Sequence, residues 1–72
     1  MTEKHKELVN TILTQFADNK EMTYSILGKS IVKMAVDIKI EELSGLKSDY
    51  EYHMIKCKQI DKLLNYYKNL EL

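Results

Sequence analysis

A chain of 72 residues is one small domain, near the lower limit at which a single hydrophobic core holds a fold without help. Its one cysteine closes no internal disulfide, and two histidines with that cysteine make no four-ligand structural metal set, so self-association is the staple left over. Eleven basic residues, all lysine, balance eleven acidic ones, which argues against bulk nucleic-acid binding, and the lack of arginine disfavours bidentate reading of guanine or phosphate.

The first helix is expected over about residues 3–17, where Leu8, Val9, Ile12, Leu13 and Phe16 recur at three- and four-residue steps. Glu3, Lys4, Glu7 and Lys20 fall outside that stripe. The segment ADNKEM then reads as a break and restart, with Asp18 as the new cap and Glu21 reaching back to it.

The second helix is expected over 20–43, but its sequence carries two periods. VKMAVDIKI alternates apolar and polar residues, with Val32, Met34, Val36, Ile38 and Ile40 on one side, which is a strand pattern. With GKS at 28–30 as a turn, residues 22–40 would form a hairpin in an α-β-β-α chain. The same residues also give a broad helical face of Leu27, Ile31, Met34, Ala35 and Ile38, with Val32, Val36 and Leu43 beside it. Helix is the favoured reading, because a two-stranded hairpin without a third strand is marginal. Gly28 inside such a helix costs about 1 kcal/mol relative to Ala and points to close packing or a kink.

Gly45 reads as the stop of that helix, and Ser48 with Glu51 three residues on reads as the capping box of a third, expected over 49–70. Tyr50, His53, Cys57, Ile60, Leu64 and Tyr67 follow with the rhythm of a heptad seam, and Leu43 and Leu46 extend it backwards. Met54, Ile55, Leu63, Tyr66 and Leu70 form a second apolar stripe. At about 1.5 Å per residue this helix would exceed 30 Å, longer than the first helix can cover, leaving LLNYYKNLEL at its uncovered end. The expected fold is thus all-α, a small three-helix bundle or helical hairpin, dimeric through the leftover surface.

Leu63, Tyr66, Tyr67 and Leu70 are the candidate partner-binding residues, because paired tyrosines flanked by leucines anchor interfaces. The alternative is that Tyr66 and Tyr67 close the bundle against the first helix. The spacing of Leu63, Tyr66 and Tyr67 resembles the hydrophobic-x-x-aromatic-aromatic ending of peptides that dock on replication sliding clamps, although Ile60 stands where those peptides carry Gln.

Asp49, His53 and Cys57 stand at steps of four, so one helix would align a nucleophile, its base and an orienting acid. Three residues stacked on one helix supply neither an oxyanion-stabilising loop nor a substrate cleft, and no catalytic site is assigned. No metal site is assigned to the single chain either; two copies could supply two His53 and two Cys57 as four ligands across a dimer. The plainer reading makes Cys57 a small core residue and His53 a hydrogen-bond partner of Asp49. Gly28-Lys29-Ser30 ends like a phosphate-binding loop, but Thr23 replaces its first glycine, and no cofactor is expected.

The function expected is a protein–protein interaction module and not an enzyme. The excess of Lys, Ile, Asn and Tyr without Arg, Pro or Trp is the usage of an AT-rich genome, such as a phage of a low-GC bacterium, where the role would be an adaptor or inhibitor of a host enzyme. The start MTEKHKE and the short, interrupted apolar runs fit neither a secretory leader nor a spanning helix, so a cytoplasmic homodimer without membrane contact is expected. A small dimeric DNA-binding regulator is the alternative, opposed by Asp49 and Glu51 at the expected start of the third helix, where acid repels phosphate.

Overall fold

The computed structural model describes residues 2–70, and all regular structure among them is helical: α1 (Glu3–Asp18), α2 (Lys20–Leu27), α3 (Lys29–Asp49) and α4 (Met54–Lys68). The all-α class forms as expected, with four helices in place of three. The alternative hairpin over 22–40 does not form. None of the described helices is long and apolar enough to cross a membrane. The chain divides into two compact units, one reaching to Ile38 and one starting at Lys39, and α3 contributes to both.

In the first unit, the Thr2 hydroxyl caps α1 by accepting from the His5 amide at 3.3 Å, and Glu3 suits the positive end of the helix dipole. The expected stripe is buried at Val9, Leu13 and Phe16, while Leu8 lies at its exposed edge. The restart is capped by Asn19, one residue after the expected Asp18. Its amide closes α1 on the Gln15 carbonyl, and its side-chain oxygen accepts from the Met22 amide at 3.0 Å. Asn supplies the same acceptor as Asp, worth about 1 kcal/mol to the helix. The Phe16 and Tyr24 rings meet at 5.5 Å, joining α1 to α2, with the Lys20 and Lys29 ammonium groups 5.9 and 5.5 Å from the Tyr24 ring centre.

The continuous helix expected over 20–43 is broken at Gly28. Its φ of 86° and ψ of 156° are reached freely only by glycine. Its amide donates to the Tyr24 carbonyl, closing α2, while its own carbonyl accepts from Val32 in the first turn of α3. Nothing lies within 4 Å of where a Cβ would stand, so the glycine serves the backbone bend and no close approach. The break resets the helical phase. Val32, Ala35 and Val36 are buried, whereas Ile31 and Met34 of the expected stripe are exposed.

In the second unit, Leu43 of α3 packs with Ile60 and Leu64 of α4, and Ile40, Tyr50 and Tyr67 close round them. α3 runs through Gly45 to Asp49, so neither the stop at Gly45 nor the capping box at Ser48 and Glu51 forms. Gly45 keeps an ordinary helical φ, and extending the helix brings Lys47 and Tyr50 over α4. Those contacts outweigh the cost of about 1 kcal/mol for a helical glycine. α4 therefore starts at Met54, not at 49, and spans 15 residues against 16 in α1. The expected length mismatch between the first and last helices is absent.

Candidate protein-docking face on α4

α4 is held on α3 along one side only. Ile60 and Leu64 are buried, Tyr67 packs beside them, and Cys57 lies half-buried in the same row. The Lys47 ammonium meets the Asp61 carboxylate at 2.6 Å and is stabilised in its charged form by that hydrogen bond and charge, so Lys47 titrates above the ordinary lysine range. Lys56 sits 4.6 Å from the centre of the Tyr50 ring, a further tie between the connector and α4.

Turned away from the Ile60–Leu64–Tyr67 row are Ile55 and Tyr66, 68% and 50% exposed, with Leu63, 45% exposed, at the edge next to Ile60 and Tyr67. Gln59 falls between them in the same row and is exposed as well. The steps from Ile55 to Gln59, Leu63 and Tyr66 are four, four and three residues, which keeps these side chains on one face. Lys58 and Lys62, both exposed, run along one edge of the row.

The four expected partner-binding residues thus separate. Leu63 and Tyr66 are exposed, Tyr67 is turned into the cluster around Leu43, and Leu70 is half-buried just beyond the end of α4. The two tyrosine rings meet edge to face at 5.0 Å, so the half-buried Tyr67 ring supports the exposed Tyr66 ring. Burial pushes the Tyr67 phenol above its ordinary value, and the neighbouring Tyr66 adds to the shift. Ile55 and the two edge lysines were not among the expected site residues. Ile55 reads from the sequence as a widening of the core stripe, and only the side of α4 that α3 covers reveals it as outward-facing.

Asp49, His53 and Cys57 do not share a helical row. Asp49 ends α3, residues 50–53 connect, and His53, in an extended conformation at φ −108° and ψ 91°, is the N-cap of α4. Its Nδ1 accepts from the Lys56 amide at 3.4 Å, which is the job of a capping side chain and leaves Asp49 out of the arrangement. No group of three or more His, Cys, Asp or Glu among the described residues is arranged to hold a metal ion. The acids expected in the first turn of the last helix fall in α3 and the connector, so the first turn of α4 holds no acid. The objection they raised to a helix-turn-helix reading falls with them.

Comparison with protein-family models, with curated proteins and with solved structures found no match for this chain.

Proposed function

We propose that the chain is a protein-docking module that binds its partner through the outer face of α4, with Ile55, Leu63 and Tyr66 as the contact row and the half-buried Tyr67 as its support. The observation that carries this reading is the exposure of three large apolar or aromatic side chains along one helix. An exposed apolar row of this kind favours burial against another protein. A tyrosine held by its neighbour loses little side-chain entropy on binding. The partner would be a host enzyme if the chain comes from a phage or mobile element, and self-association would use a surface of the same small domain.

Tagged protein exposed to nuclease-treated lysate, beside a Tyr66→Ala variant, tests the reading. One stoichiometric protein retained by the wild type and lost by the variant is expected; equal capture by both contradicts it.

DNA binding is the second reading, favoured by one observation: the first turn of α4 carries Lys56 with no acid, and Lys58 follows. It requires retention on duplex DNA that weakens steeply with added salt.

A further inference from the structure

The outer face of α4 has a sign as well as an apolar row. α4 carries four lysines and one acid, Asp61, and that acid is engaged by Lys47 of α3. Lys58 and Lys62 stand four residues apart along one edge of the Ile55–Leu63–Tyr66 row, and the acid that borders them, Asp61, three residues from Lys58, is the one Lys47 engages. The nearest other acids in sequence are Glu51 in the connector before α4 and Glu71, which lies outside the described residues.

Resting on the docking reading above, we infer that the occupant of this face is an acidic amphipathic segment of another protein. Its apolar side chains cover Ile55, Leu63 and Tyr66 while its Asp or Glu residues meet Lys58 and Lys62. A phosphate backbone would pair with the lysines but leave the central apolar row unburied. A lipid surface suits a wider apolar face than a row interrupted by Gln59. A second copy docked antiparallel through the same face would set Lys58 and Lys62 beside their own equivalents, a like-charge arrangement that disfavours the pair.

The test is an NMR titration of the 15N-labelled full chain with two synthetic helical peptides that share one leucine stripe, flanked in one by Glu and in the other by Lys. Shifts at Ile55, Gln59, Leu63 and Tyr66 are expected with the Glu peptide, weakening as salt rises. Lys58→Glu combined with Lys62→Glu should cost about fivefold in that affinity, the effect of two exposed ion pairs, and reverse the preference between the peptides. Equal binding of both peptides at these residues overturns the charge preference and leaves the docking reading standing. Shifts by neither peptide on α4 remove both. Shifts at the same residues by a duplex oligonucleotide, with none by the Glu peptide, overturn the inference in favour of DNA.

Discussion

Two pairs of identical neighbours in α4, Leu63 with Leu64 and Tyr66 with Tyr67, are buried to different extents. Leu64 is 5% exposed and packs on Leu43 of α3, whereas Leu63 is 45% exposed. Tyr67 joins the cluster and Tyr66 leans on it from outside. The inner face gains its energy from burial within the chain, and the outer face has that energy still to gain from another molecule. Residue type says nothing about which is which; the position of α3 decides.

The leucine pair gives the largest contrast. Leu64→Ala should cost about 2–5 kcal/mol through lost burial and an unfilled cavity, while Leu63→Ala should stay within about 0.5 kcal/mol. Urea unfolding followed by circular dichroism measures both. Similar losses at the two sites would mean that the faces are not distinct.

The two glycines extend the comparison, since identical residues again meet different surroundings. Gly28→Ala forces a side chain into a backbone region open almost only to glycine and should destabilise by about 1–3 kcal/mol. Gly45→Ala sits in an ordinary helical turn with open space around its Cβ and should stabilise by about 0.5–1 kcal/mol. Thermal melts of the two variants should shift in opposite directions.

Alkaline titration gives the smallest effect and separates the tyrosines. Tyr67 and Lys47 both hold their protons more tightly in the folded chain than in the unfolded one. The stability they contribute is therefore complete below the ordinary values, near pH ~10, and is lost as pH rises through the raised ones. Phenolate absorbance should show a step displaced upward that disappears in Tyr67→Phe and persists in Tyr66→Phe. A displaced step that survives in Tyr67→Phe would place the buried phenol elsewhere.

Much of this was legible in the residues. The α1 stripe of Val9, Leu13 and Phe16 and the α4 stripe of Cys57, Ile60, Leu64 and Tyr67 follow from three- and four-residue spacing alone, because burial on one side of a helix demands it. The ends were harder. Gly28 and Gly45 look alike locally, yet one bends the backbone and the other lies inside α3, whose continuation brings Lys47, and Tyr50 just past its end, into contact with α4. Ser48 and Glu51 make a good local cap that loses to those contacts, and His53 takes the role instead. The Asp49–His53–Cys57 row failed for the same reason, since it presumed one helix through 49–57. The outward position of Ile55 and Tyr66 could not be read from spacing, because both stripes of α4 are apolar and only packing on α3 chooses between them.

The most direct test of the docking claim is site-specific photo-crosslinking in the native cell, with a photoreactive phenylalanine at Leu63 or Tyr66 and, as control, at exposed Lys4 of α1. The account predicts one discrete protein adduct from Leu63 and Tyr66 and none from Lys4. An adduct from Lys4 alone, or from none of the three, would contradict it.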